Sequence, residues 1–380
     1  MPRSPARPRT STVDPDVVVV GGGVLGASTA RSLALRGARV LLVTEGSLAS
    51  QASGRSLSWL NSSGRRSDAY HRLRMAGIDR YRTLATQHPD ADWLRFDGGL
   101  TWRRPADTDE LRAEHTHERA VGYDSRWLTP AEVAARFPAL DAGQVPAAGA
   151  VWNPGEGWVD LPSLVEVLVK DLGEAGGTVV TDAGRATVQT AAGRVTGVRT
   201  AAGEHWSTDR AVLATGAGVP AALAGLGVRV PDATPLALLV RTEPVDTDLR
   251  LVLNTPRVAL GPAPGRTLSV DADWASLGLE PEADGYRVPD GVVEELLGEA
   301  SALLRGHPRL VAGSVGTGPK PIPGDGDPVL GPAPGVEGLQ VAFTHSGATL
   351  GLIAGELLAE QALTGEQPPL LAPFRPDRFR

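Results

Sequence analysis

Three glycines, Gly21, Gly23 and Gly26, follow directly on four valines, Val17 to Val20. That spacing suits one task, bringing a peptide backbone against a pyrophosphate. In a G-x-G-x-x-G run the first glycine makes a tight turn. The second leaves room for the phosphates, and the third lets a helix pack closely on its strand. Val24 and Leu25 sit inside the run and open that helix, whose free N–H groups and positive dipole end favour anions. The same fingerprint expects an acid at the end of the next strand, to hold a ribose. By spacing from Gly21 that position is Thr44, and Glu45 comes one residue later. A one-residue shift turns a side chain to the other face of a strand. Two arrangements stay open: a bulge carries Glu45 to the ribose, or Thr44 makes a weaker contact and Glu45 is an exposed turn residue.

Other chemistries are excluded by what is missing. The chain has no cysteine in 380 residues, which removes disulfides, thiolate metal sites, a cysteine nucleophile and a cofactor tethered through sulfur. His115 and His117 stand two apart on an expected helix, so they do not share a face for a metal. HExxH, G-x-S-x-G and GK[ST] do not occur. Forty-four acids against 37 bases give a net charge of −7, and nucleic acid is not an expected partner. No run approaches the about 18 apolar residues of a membrane helix, so no membrane span is expected. Residues 1–13 carry prolines and charges without an apolar stretch; they read as a disordered leader, not a secretory signal. The missing disulfides fit a reducing compartment, and a cytoplasmic location is expected.

The elements that would position these residues can be read from the apolar pattern. Val17 to Val20 and the ARVLLV run at 38–43 read as buried parallel strands around a helix that stops at Gly37. This is one βαβ unit. Residues 68–88 have helical spacing (Tyr70, Leu73, Ile78, Tyr81, Leu84). LTPAEVAARF opens like a helix, with Thr129 as N-cap, Pro130 next and Glu132 three residues on. Residues 157–176 read as loop then helix, and 177–203 as two short strands. A further buried strand runs into the glycine turn at 216–218, and residues 234–290 read as a sheet. The end of the chain reads as strand (LQVAFT), glycine turn (HSGATLG) and long helix. Dinucleotide-type signals stand at the start, middle and end. One lobe is therefore assembled from separated segments, with another inserted between them.

The sequence resembles the FAD-dependent oxidoreductases of the D-amino-acid oxidase, glycine oxidase and sarcosine oxidase type. Besides the glycine fingerprint, three segments carry the resemblance: ASQASGRSLSWLN at 49–61, RAVLATGAG at 210–218, and PKPIPGDGDPVLGPAPGVEGLQVAFTHSGATLGLIAGELLAE at 319–360. It implies an α/β, two-lobed fold. A Rossmann-type FAD-binding lobe would take 14–90, 150–220 and 312–380. A substrate lobe on a mixed, largely antiparallel sheet would take 91–149 and 221–311. It implies oxidation of a small-molecule amine or amino acid by hydride transfer to the flavin, with oxygen or another acceptor taking the electrons.

Carried over residue by residue, Gly21, Gly23 and Gly26 would meet the pyrophosphate, with Ala52, Ser53 and Ser56 contributing from the second loop. Arg185 stands where the family makes a backbone contact to the adenine end, and Ala214, Thr215 and Gly216 would flank the dinucleotide. Ser346, Gly347, Ala348, Thr349 and Leu350 would run under the flavin ring, where their N–H groups favour negative charge. Two positions are candidate catalytic residues. Lys320 stands where many relatives keep an arginine for the substrate carboxylate; it is either that anchor, as a point charge rather than a fork, or a surface lysine in a proline-rich turn. His345 either acts beside the flavin or caps the turn. Trp59, Trp152 and Trp158 either wall a substrate pocket or pack the core. Sarcosine oxidases keep a lysine just after the C-terminal histidine; here Ala348 is nearby, which speaks against that activity. The alternatives are a dehydrogenase using another acceptor, a flavin-binding subunit without chemistry of its own, and an NAD(P) protein, against which the C-terminal segment argues.

Overall fold

A computed structural model describes residues 14–282 and 285–380; the expected leader at 1–13 lies outside the described residues. Val17–Val20 is buried along its whole length because it lies inside a sheet covered on both faces, the environment that selects unbroken β-branched runs. That six-stranded sheet has the order Val329–Pro332, Leu339–Phe343, Ala211–Leu213, Val17–Val20, Val40–Val43, Thr178–Val180. All neighbours are parallel except the first pair. The helix Val24–Leu35 packs along the C-terminal helix Gly347–Thr364. Gly355 permits the approach, since a Cβ there would stand 2.2 Å from Ser28 Oγ.

An eight-stranded sheet forms the second lobe. Its order is Ala312–Pro319, Leu236–Thr242, Thr267–Asp271, Ala259–Ala263, Val252–Asn254, Gly99–Thr101, Ala150–Asn153, Arg126–Leu128. Pairing is antiparallel except between Val252–Asn254 and Gly99–Thr101. Its apolar face packs Leu100, Val240, Leu253 and Leu260 against the helix Val292–Ala302. The strands Ala150–Asn153 and Ala312–Pro319 pair in this sheet, although both fall at the edges of segments expected in the other lobe. A three-stranded sheet of Trp59–Leu60, Gly157–Val159 and Leu94–Arg95 brings the two expected lobes together.

The helix at Pro130–Arg136 starts with the expected reciprocal cap: Thr129 Oγ1 accepts from Glu132 N, and Glu132 accepts from Thr129 N. Three segments differ from expectation. Gly157–Val159 is a strand, not a loop. Its glycine is required because a Cβ would stand 2.2 Å from the neighbouring Arg95 carbonyl. Residues 177–203 hold three strands, one added to the six-stranded sheet and two in a separate hairpin. The C-terminal helix begins at Gly347, inside the segment expected to be a turn.

Candidate active site

The glycine loop divides its three glycines between two jobs. Gly21 has φ +120°, and a Cβ on it would stand 2.3 Å from the Ala214 carbonyl. A Cβ on Gly26 would stand 1.8 Å from the Gly21 carbonyl. Both are glycine because backbone meets backbone. A Cβ on Gly23 would meet only Ser53 Oγ, at 3.1 Å, so the space beside Gly23 is kept open for something other than protein. Ser53, on the short turn Ala52–Gly54, also accepts from Val24 N at 3.0 Å. Leu25 is buried behind it. On the other side, Ala214 follows the strand Ala211–Leu213, and Thr215 Oγ1 is buried with no hydrogen-bond partner. Gly216 turns at positive φ beside Pro321. An open glycine face, the first-turn amides after Val24 and an orphaned hydroxyl together fit a dinucleotide.

No bulge interrupts the strand before Thr44, whose register runs unbroken to Val43 on both sides. Thr44 is buried, with its side chain against Gly22. Glu45 leaves the strand on an exposed turn, and its carbonyl accepts from Gly184 N beside the exposed Arg185. Of the two arrangements left open above, the bulge is absent. Glu45 is therefore the exposed turn residue of the second arrangement, with its side chain open to solvent.

A cavity of about 510 Å³ lies where the C-terminal helix start faces the eight-stranded sheet. Ser346, Ala348 and Thr349 line one side, Ala52 and Ser56 enter from the second loop, and Thr101, Asn153, Asn254 and Asp271 line the sheet side. Lys320 and His345 both open onto it. Trp59 lines it as well, with Nε1 donating to Glu156 at 2.8 Å. Trp152 and Trp158 are packed away from it, Trp152 under Arg136 and Trp158 donating to the Arg250 carbonyl. His115 pairs with Ser125, and His117 with the Arg66 carbonyl. Among the described residues no cluster could hold a metal ion.

The helix start itself is pinned from below. Arg74, 3% exposed, donates through Nε to the Asn61 carbonyl at 2.8 Å, through Nη2 to Asn61 Oδ1 at 2.9 Å, and through Nη1 to Ser346 Oγ. Tyr70 OH shares a hydrogen with Ser346 Oγ at 2.5 Å, and Tyr81 OH donates to the Ala348 carbonyl at 2.6 Å. These contacts fix where the amides of Gly347, Ala348, Thr349 and Leu350 stand. Leu350 N is already taken by the Ser346 carbonyl, which leaves the three before it free of helix bonds.

A family model described as FAD dependent oxidoreductase (DAO) matches residues 16–361. The chain belongs to this family. It is 30% identical to an uncharacterized oxidoreductase, YurR, of Bacillus subtilis (strain 168), covering 94% of this chain and 98% of the other. It is 28% identical to a glycine oxidase of Geobacillus kaustophilus (strain HTA426), covering 94% and 96%. The solved glycine oxidase of Geobacillus kaustophilus superposes with a TM-score of 0.82 at 24% identity, covering 95% of this chain and 98% of that one. An L-amino acid deaminase from Proteus vulgaris reaches 0.83 at 20% identity, covering 98% and 100%. The protein is thus an FAD-dependent oxidoreductase with the two-lobed α/β fold. No helix among the described residues is long and apolar enough to cross a membrane.

The site of this oxidoreductase is strongly polarised. Desolvation by its surroundings, followed by the charges of Lys320, Arg74 and Arg66, lowers His345 to about 4. Its imidazole is therefore neutral at pH 7. Burial raises Asp271 to about 6, against the pull of Lys320. Lys320 Nζ lies 3.5 Å from Asp273. Sequence reading passed over Arg66, Arg74, Asp271 and Glu156. Only Tyr70 and Arg74 left a signal, standing four apart on one helical face.

Glu156 has 0% exposure and accepts from Tyr123 OH at 2.7 Å as well as from Trp59. Burial raises its carboxyl to about 8, outweighing those two hydrogen bonds. The folded protein then holds a proton that the unfolded chain releases near pH 4.5. Stability from this group is full below about pH 4.5, falls as pH rises, and is lost above about 8, by at most about 1.4 kcal/mol per pH unit. Glu156→Gln, which cannot titrate, is expected to remove that slope. Melting temperatures of both proteins between pH 5 and 8.5 check it; parallel curves would mean that Glu156 stays ionised.

Proposed function

We propose that this flavoenzyme oxidises a small-molecule amine or amino acid in the cavity beside Ser346. When bound, FAD supplies the acceptor for a hydride from the carbon next to the substrate nitrogen. The observation that carries the reading is the placement of a cavity, open on one side and lined by charged and polar side chains, directly against the helix start that the family uses for its flavin ring. Gly21, Gly23, Val24, Gly26 and Ser53 would hold the pyrophosphate, and Thr44 or the backbone near Arg185 the adenosine end. Thr215 Oγ1 would find its missing partner in the dinucleotide. The amides of Gly347 to Thr349 favour the electron-rich reduced state, because a helix start carries partial positive charge.

On the substrate side, an ammonium must lose a proton before its carbon gives up hydride. His345, neutral, and Asp271, raised to about 6, both open onto the cavity and offer acceptors for it. The two-electron oxidation leaves an imine. Water then converts it to a carbonyl compound and ammonia, and dioxygen accepts the electron pair to give hydrogen peroxide. Lys320 adds a cation to the same cavity. Anaerobic mixing of the purified yellow protein with a panel of amines and amino acids is expected to bleach the flavin absorbance with at least one of them. An oxygen electrode and a dye assay then separate oxidase from dehydrogenase. Flavin that dithionite reduces but no member of a broad panel does would overturn the reading.

A further inference from the structure

The cavity holds more positive charge than the protein answers. Arg74 is met by neutral acceptors only: Asn61, Ser346, Thr349 and Tyr70. Among the described residues Arg66 makes no side-chain hydrogen bond or ion pair. Its Nε is fully buried without a hydrogen-bond partner, and its guanidinium lies 5.4 Å from the Tyr70 ring centroid. The Arg66 main chain is fixed, its carbonyl paired with His117 Nε2 at 3.0 Å, while Gly64 N two residues earlier donates to Glu118 at 2.7 Å. The loop therefore holds the Arg66 backbone in place. Burial, then the neighbouring Arg74, lowers the guanidinium to about 10, which leaves it cationic at pH 7. Two acids act on it: Glu156, held up at about 8 and protonated there, and Asp327, whose carboxyl burial also pushes up. A second orphan faces the same cavity: Thr101 Oγ1, buried and unpartnered. A half-buried guanidinium whose buried Nε has no partner is a costly feature for a fold to keep. Lys320 is different, because Asp273 stands 3.5 Å away and Asp271 acts on the same ammonium.

We propose that Arg66, and not Lys320, is the principal anion-binding residue of the cavity, and that the anion is a carboxylate of the substrate. The proposal rests on the reading of the cavity as the substrate site. It narrows that reading to amino acids and other amino carboxylates, and moves the carboxylate to the Arg66 and Thr101 side. A guanidinium offers the planar fork that a carboxylate matches with two hydrogen bonds. Lys320, with its two acids, would then stand at the other pole, where a substrate's cationic or hydroxyl groups fit.

The test uses oxidised holoenzyme and carboxylates that cannot be oxidised. Acetate and benzoate are titrated, with acetamide and benzamide as neutral controls, and the flavin difference spectrum gives Kd. Wild type is expected to bind the acids and not the amides. Arg66→Met is expected to weaken acid binding at least 30-fold and Arg66→Lys by less. Lys320→Met is expected to change it under threefold. The ligand-free Arg66→Met protein should melt no lower than wild type, because it has lost a cation with a buried, unpartnered Nε, and its FAD content should be normal. Unchanged Kd in Arg66→Met overturns the proposal, as does a large loss in Lys320→Met alone. So does a flavin midpoint potential shifted by Arg66→Met with Kd unchanged, which would make the reduced flavin the anion. A wild type that binds no carboxylate also overturns it. Failure of the functional reading looks different: carboxylates bind through Arg66, yet no amine or amino acid reduces the flavin.

Discussion

Gly23→Val is expected to give a folded protein that purifies without FAD, while Gly26→Val is expected to lose the fold. The contrast follows from what a side chain would meet. At Gly26 a Cβ falls 1.8 Å from the Gly21 carbonyl. The helix Val24–Leu35 would have to leave the strand that it covers, and its inner face (Ala27, Ala30, Leu33, Ala34) is core. Forcing one extra methylene into a packed core costs about 1–3 kcal/mol, and backbone that cannot rotate away costs more. At Gly23 the φ of −82° is ordinary for any residue, and Ser53 Oγ is the one protein atom in reach. The valine methyls would instead occupy the space where the backbone must approach a pyrophosphate. A loss of at least 10²-fold in FAD affinity corresponds to about 2.7 kcal/mol. The ratio of absorbance at 450 and 280 nm reads flavin content, and circular dichroism melts of the apoproteins read the fold. A normal yellow Gly23→Val protein would remove the loop from the cofactor site.

The difference between these glycines shows what a sequence carries and what it hides. The run Val17 to Val20 and the G-x-G-x-x-G spacing are local signals, and local physics decides them: a strand covered on both faces must be apolar throughout, and a backbone contact admits only glycine. The cap at Thr129 is local in the same way. The cavity is not. Arg74 and Ser346 are 272 residues apart, and the need to bury a guanidinium appears only when two helices from opposite ends of the chain meet. In sequence, Arg66 sits in GRRSDAY, a stretch that reads as a solvated helix start. Glu156 sits in NPGEGW, which reads as a turn. Gly157 has the same fault in reverse: its glycine looks like loop because the strand that demands it, Leu94–Arg95, lies far away in the chain. Lys320 was legible from its motif position, but its acidic neighbours Asp271 and Asp273 come from another strand's end and change what its charge can do.

Arg74→Met is expected to destabilise the protein by about 1–3 kcal/mol and to loosen the flavin side of the site. The guanidinium holds Asn61 through two of its acceptors and Ser346 through a third; its loss strands the Asn61 carbonyl, while Asn61 Oδ1 keeps Ser63 and the Ser346 hydroxyl keeps Tyr70. Each buried group left unsatisfied costs about 1–3 kcal/mol. The relief of removing a buried cation offsets part of that cost. Tyr70 and Ser346 keep their own hydrogen bond, at 2.5 Å, so the helix start is expected to shift rather than unfold. Arg74→Lys retains the charge but not the fork and should recover less than half of the lost stability. A structural role alone would end there, and His345 provides the second readout. Arg74 is one of the charges that push the imidazole down to about 4, so its removal should raise the His345 pKa, whereas Arg74→Lys should leave it low. Urea unfolding gives the stability, and ¹⁵N-labelled histidine titrated by NMR gives the pKa. A stable Arg74→Met protein with His345 unmoved would show that the guanidinium neither holds the helix start nor sets the field around it.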